Sequence, residues 1–342
     1  MIHVLVLIGC AVAIYLACEW FVNAVEWLGV QLKVGPVAVG SILAAVGTAL
    51  PESVVTLVAV LFGSAQQGDG IAVGAALGGP LVVGTIAYAV TGLLLLRRTR
   101  HARADPAGAG DEALAVTSLD GTDTSRLARD QTWFLSIFVF KVALGLVAFA
   151  FKRWLGLMFF AAYGVYFWRE MRATGEHASA DDLEPLKSQR NRATPTNAGV
   201  IIQTVGSLVV IFAASQLFVR QLEWAGPALG LSPIVVALLL SPIATELPEI
   251  MNAIIWVRQG KTQLALSNIS GAMMIQATVP SGIGLLFTAW KFDTPLLIAG
   301  LATMASVSYL LTLMRTNSVT PGRLIGAAAF YIAFAAGLAI SN

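Results

Sequence analysis

An apolar chain that repeats itself has few ways to fold, and this one repeats a carboxylate-bearing turn inside two hydrophobic stretches. VGTALPES at residues 46 to 53 returns as IATELPEI at residues 243 to 250. The same offset of 197 positions, without a gap, pairs Phe21 with Phe218, Val22 with Val219, Glu26 with Glu223, Trp27 with Trp224 and Pro36 with Pro233. It also pairs Thr48 with Thr245, Pro51 with Pro248 and Glu52 with Glu249. A duplication of this length implies two equivalent structural halves. A Pro-Glu pair in the middle of an apolar helix is expected where the helix is interrupted to build an ion site at the junction of the halves.

Composition places those halves in a bilayer. Of 342 residues, 57% are hydrophobic and 12% charged, and a mean hydropathy of +0.78 leaves too little polar surface for a soluble globule. At about 20 apolar residues per crossing, the chain divides into ten helices. They fall near residues 4–28, 34–63, 70–96, 133–151, 154–171, 197–226, 232–259, 264–290, 294–315 and 321–341. The first apolar run has no basic segment before it and no small-residue cleavage site, so it reads as a membrane helix and not a signal peptide. The polar stretch 97–132 reads as a loop, and 172–196 as the linker between the halves. The expected organisation is a first repeat over 1–171, the linker over 172–196 and a second repeat over 197–342. Cys10 and Cys18 share the first helix, and no disulfide is expected between them.

With loops on alternating sides, sixteen of the 21 Lys and Arg residues share one face, four share the other, and Lys141 lies inside a span. Because Lys and Arg collect in cytoplasmic loops, both termini are expected outside, in the plasma (inner) membrane. Five helices per half is an odd number, so the second half inserts upside down relative to the first. The sequence thus predicts an all-α integral membrane protein of ten transmembrane helices in two inverted five-helix repeats, an arrangement that can open to each side in turn. No basic run suggests nucleic acid, and no nucleophile elbow, zinc spacing or phosphate-cradling loop suggests an enzyme.

ACEWFVNAVEWLGVQLKVGPVAVGSILAAVGTALPES and its partner AASQLFVRQLEWAGPALGLSPIVVALLLSPIATELPEI resemble the two alpha-repeats of the cation/calcium exchanger superfamily, whose members carry G-T-S-x-P-E in each half. The resemblance covers most of the chain apart from 97–132. It implies a sodium/calcium exchanger-like fold, with cations bound midway between the second, third, seventh and eighth helices. It implies Glu52 and Glu249 as metal ligands, occupied by calcium and the counter-ion in turn. It also implies a neutral-oxygen role for Asn268 and Gln276, which stand where the family carries amide or acidic ligands. The first half departs from the pattern, because the equivalent Ala75, Gly79 and Val83 have no side-chain oxygen.

The residues support this chemistry on their own. Thr48 and Glu52 are four apart, as are Thr245 and Glu249, so each pair shares a helix face. Pro51 and Pro248 withhold a backbone donor and free a carbonyl one turn earlier. Carboxylate, hydroxyl and carbonyl oxygens in one turn suit hard cations such as calcium, sodium or a proton. An intramembrane carboxylate costs ~2.5–3.5 kcal/mol on insertion scales, which argues against Glu52 and Glu249 as idle packing. Glu246 is this chain's own addition, since the first copy has Ala49 there. Three residues from Glu249, it cannot ionise cheaply alongside it in a low dielectric, so one of the two is expected to carry a proton. The competing reading makes Glu246 a structural partner of a polar neighbour or of Lys141. Glu19, Glu26 and Glu223 read as interfacial or interhelical hydrogen-bonding groups, and Asp69 as a turn residue. His3, His101 and His177 lie outside the spans, which leaves any proton relay to carboxylates.

These readings predict a secondary active antiporter that exchanges calcium against protons or sodium by alternating access, with no resident cofactor. Its cation site is expected at Thr48, Glu52, Thr245, Glu246, Glu249, Asn268 and Gln276. A sodium/proton antiporter that ignores calcium is the nearest alternative, because the first half lacks ligands. A non-transporting cation sensor on the same fold and a channel are further alternatives. The intact Thr-x-x-x-Glu pair in both halves argues against the sensor, and the inverted repeat against the channel.

Overall fold

A computed structural model of the chain describes residues 2–62, 65–104, 122–149, 151–172, 183–228 and 239–341. Every regular element among them is helical, as lipid demands of backbone that must satisfy its own hydrogen bonds. Ten crossings follow in order. The first is α1 (Ile2–Leu32). The second joins α2 (Pro36–Ala38), a π-helical turn (Val39–Ala44) and α3 (Ala45–Phe62). The third joins α4 (Ala65–Val82), a second π turn (Val83–Ala87) and α5 (Tyr88–Ala104). The fourth and fifth are α6 (Thr124–Leu146) and α7 (Gly156–Arg172).

The second half opens with α8 (Asn197–Ala228). Its second crossing contains α9 (Ser241–Thr245) and α10 (Leu247–Arg258), preceded by π-helical residues 239–240. The paired Pro233 lies outside the described residues. The last three crossings are α11 (Thr262–Phe287), α12 (Thr294–Arg315), and α13 (Pro321–Gly326) with α14 (Ala328–Ser341). The π turn Val39–Ala44 and the π-helical residues 239–240 each precede a Thr-x-x-x-Glu segment, and π bulges are frequent at functional sites.

The leading helices of the two halves lie antiparallel. Near the start of α1, His3 stacks on Trp224 near the end of α8 with ring centroids 3.4 Å apart, and its Nδ1 lies 2.6 Å from Gln221 Oε1. At the opposite ends, Gln203 of α8 donates to the Trp20 carbonyl at 2.9 Å and to Asn23 Oδ1 at 3.0 Å. This is the inversion that an odd number of crossings imposes.

Burial separates central helices from peripheral ones. The most apolar stretch of α11 is 89% buried, whereas that of α1 is 28% buried. α1 turns Val4, Leu5, Ile8, Val12 and Leu16 outward, the apolar face expected against lipid tails. α11 crosses the π turn of the second crossing almost backbone to backbone. A Cβ on Gly271 would overlap the Ser41 carbonyl, and one on Gly40 would fall 2.8 Å from the Leu264 carbonyl. Glycine at such crossings lets membrane helices approach closely.

Among the described residues, both polar stretches contain structure that their composition does not suggest. α5 continues through Arg97 and Arg103 to Ala104, and α6 already begins at Thr124, so the stretch 97–132, expected as a loop, is helical at both ends; residues 105–121 lie outside the described residues. The charged first turn of α6 is helical because its groups have partners. Asp123 Oδ1 accepts the Arg126 N–H at 3.0 Å, an N-cap, and Arg126 and Arg129 pair with the buried Glu170 of α7 at 2.5 and 3.0 Å. Residues 183–196 dock on α1 and α8. Trp27 Nε1 donates to the Glu184 carbonyl at 2.9 Å, Asn23 Oδ1 accepts the Lys187 N–H at 2.9 Å, and Leu186 is fully buried.

Candidate cation site

Thr48 and Thr245, equivalent residues of the two halves, line one small cavity of about 20 Å³, closed by Ile211, Phe212, Ser215 and Val219 of α8. That volume admits about one water molecule. Thr48 donates its hydroxyl proton to the Ala44 carbonyl, the last residue of the π turn, at 3.1 Å. Thr245 donates to the Pro242 carbonyl, also at 3.1 Å. With each proton committed to backbone, the hydroxyl oxygens keep lone pairs that can face a cation.

Glu246 occupies the break between α9 and α10, with φ −86° and ψ 4°, in the sparsely populated bridge region of backbone space. α3 runs unbroken through the equivalent Ala49. Pro248, at the second position of α10, suits a helix start, where no intrahelical partner for its nitrogen is missed. The Glu246 carboxylate is fully buried and accepts a hydrogen bond from Gln276 Nε2 at 2.5 Å. It lies against Gly79 of α4, where a Cβ would fall 2.6 Å from Glu246 Oε1 and 3.2 Å from the Gln276 amide. Gly79, a lost ligand from the sequence alone, is what makes room for the added carboxylate.

Glu249 is fully buried in the first turn of α10, where the positive end of the helix dipole favours a negative charge. Its backbone carbonyl accepts Asn268 Nδ2 at 3.4 Å. Asn268 Oδ1 has no hydrogen-bond partner among the described residues. The structure thus brings Glu246 to Gln276, Glu249 to Asn268, and Thr48 to Thr245. Glu52 follows Thr48 by one turn on α3; its side chain lies outside the described residues.

An ion pair between Glu246 and Lys141 does not form. Lys141 Nζ instead contacts the Ala76 carbonyl and Ser281 Oγ, and the polar neighbour that Glu246 meets is Gln276. Asp69 lies inside α4 and not in a turn; its side chain and that of Glu223 are outside the described residues. Glu26 ties α1 to the other half, accepting Trp256 Nε1 at 2.7 Å and Lys261 Nζ at 2.5 Å.

Asn252 escaped the sequence reading. It is fully buried, three residues beyond Glu249 and so on the next turn of the same face. Neither of its amide atoms has a hydrogen-bond partner among the described residues. Its counterpart in the first half is Val55, so a search for duplicated ligands passes over it. The available signal was an amide in an apolar helix one turn from a carboxylate.

The family described as sodium/calcium exchanger protein matches residues 2–171 and 199–341, and the chain belongs to it. Its members are transporters, not enzymes. CaxA of Alkalimonas amylolytica, described as a candidate antiporter, is 25% identical over 85% of this chain and 82% of its own. The inner membrane protein YrbG of Escherichia coli K12 is 24% identical over 94% of this chain and 91% of its own. Among solved structures, the sodium-calcium exchanger NCX_Mj superposes with a TM-score of 0.73 at 16% identity, covering 99% of this chain and 98% of that one. That likeness establishes the ten-helix exchanger fold.

Proposed function

We propose that this cation antiporter exports calcium in exchange for protons or sodium entering down their gradient. The reading is carried by two carboxylates, Glu246 and Glu249, buried within one turn of each other beside the amides of Gln276 and Asn268. A divalent ion supplies the charge that balances both acids; when it leaves, two carboxylates so close in a low dielectric favour uptake of a proton by one of them. Oxygens from carboxylate, hydroxyl and amide groups match the preference of calcium for six to eight hard ligands, completed by carbonyls and water. Glu52 and Glu249 are the ligands shared by the two ions, Thr48 and Thr245 add oxygens from each half, and Asn268 and Gln276 add neutral ones. Glu246 is the proton-carrying acid. The inverted halves exchange roles to open the site to each side. The face rich in Lys and Arg is cytoplasmic, with both termini outside the plasma membrane.

Proteoliposomes loaded with radioactive calcium and given a sodium or a proton gradient test this directly. Gradient-driven calcium movement supports the reading and names the driving ion; sodium movement against protons with calcium inert overturns the calcium assignment. Glu246→Gln separates coupling from binding. The account expects it to change the pH dependence of exchange more than the calcium affinity, which falls only by the loss of one of the two charges. An unchanged pH profile removes Glu246 from the coupling role.

A further inference from the structure

Lys141 is fully buried in the last third of α6, and its surroundings form a small oxygen site. Nζ donates to the Ala76 carbonyl at 2.5 Å and to Ser281 Oγ at 3.2 Å, and stands 4.3 Å from the centre of the Phe138 ring. The Ala76 carbonyl is available for a specific reason. Residue 80, which would donate to it in an unbroken helix, is Pro80, inside α4 and without an N–H. Among the described residues, no carboxylate lies within ion-pair distance of Nζ.

A freed carbonyl, a hydroxyl and an aromatic face are groups that a monovalent cation takes as ligands. The position is close to the carboxylate site. Ala76 is one turn of α4 before Gly79, which lies against Glu246 and Gln276. On α11, Ser281 is five residues past Gln276, about 7.5 Å along the helix. This is also the part of the first half where Ala75, Gly79 and Val83 supply no side-chain oxygen for a mobile ion.

We propose that the Lys141 ammonium is a tethered cation, which fills a monovalent-ion position of the first half and so sets how many mobile cations the neighbouring Glu246–Glu249 site can hold. The inference rests on that site being the cation site of the antiporter. Lys141 is then a specificity-determining residue. It places the ammonium within about two helical turns of the Glu246–Glu249 pair and weakens the binding of additional monovalent ions there.

The test uses the full-length protein in detergent, with thermal unfolding followed in sodium chloride and in N-methylglucamine chloride at equal ionic strength. Lys141→Ala opens the oxygen site, so it is expected to be less stable than the wild type in N-methylglucamine and to gain several degrees on adding sodium, beyond any gain of the wild type. Methylammonium is expected to restore it likewise. Lys141→Met fills the space without charge and is expected to show no such additional gain. Equal loss in both salts for Lys141→Ala, without rescue by sodium or methylammonium, overturns the proposal and leaves Lys141 a packing residue.

If Lys141→Ala does not fold, the half-saturating cation concentration for transport by Lys141→Met decides. A several-fold fall with Lys141→Arg unchanged supports the tethered charge, and an unchanged value for Lys141→Met contradicts it. A wild type that moves no cation counts against the antiporter reading and leaves the thermal comparison to stand or fall separately.

Discussion

At Gly79, a methyl group would fall 2.6 Å from Glu246 Oε1, so the fit between these two residues is tight enough to measure. Overpacking a close contact costs about 1–3 kcal/mol. Gly79→Ala is therefore expected to raise the half-saturating cation concentration by roughly tenfold, while the protein still folds and inserts; unchanged transport would show that Glu246 does not work from the position seen. Asn252 makes the opposite trade. A buried amide without a hydrogen-bond partner costs about 1–3 kcal/mol, so Asn252→Leu should raise the melting temperature and weaken cation affinity together. A variant that is more stable with unaltered affinity would mark Asn252 as outside the site. What could be read of these residues from sequence depended on symmetry. Thr48, Glu52, Thr245 and Glu249 stood out because they occur twice. Asn252 did not, because its counterpart is Val55, and the pairing of Gly79 with Glu246 did not, because it joins residues of different halves.

Helix ends and helix breaks carry the next level of the account. Asp123 begins α6 from a position outside the membrane. Partial burial raises its carboxyl, but hydrogen bonds from the Ser125 hydroxyl and the Arg126 N–H, together with the Arg126 charge, outweigh this and hold it below the ordinary carboxylate value. A depressed folded value means that the cap stabilises fully above the ordinary carboxylate range and is lost as pH falls through the depressed one. Asp123→Ala is expected to cost about 1 kcal/mol at neutral pH, seen as faster amide exchange in the first turn of α6, and acidification should bring the wild type towards the variant. Faster exchange confined to other helices would contradict the capping role. The tie between Glu26 of α1 and Trp256 and Lys261 predicts a larger effect. Glu26→Gln should lower stability by about 1.5–3 kcal/mol, since it removes a charged hydrogen-bond partner from a buried position, and a melting temperature equal to that of the wild type would deny the tie any strength.

The ten crossings themselves were legible, because an apolar run of about 20 residues has one structural solution in a bilayer. Their outer limits were not. Composition treated Arg97–Arg103 and Arg126–Asp130 as loop, yet the helices continue there, since a helix that leaves the hydrocarbon keeps its own hydrogen bonds and finds charge partners such as Glu170. The π turns were also invisible in the sequence, although they precede the Thr-x-x-x-Glu segment in both halves. Whole-molecule symmetry places Thr48 and Thr245 on one cavity, and the account's central claim is that the two halves build a single cation site between them. The most direct test is gradient-driven uptake of the transported cation into proteoliposomes by the wild type, Glu52→Gln and Glu249→Gln. A shared site predicts that either substitution alone abolishes uptake. Full uptake by Glu52→Gln would show that the second half binds the cation by itself, and would contradict the account.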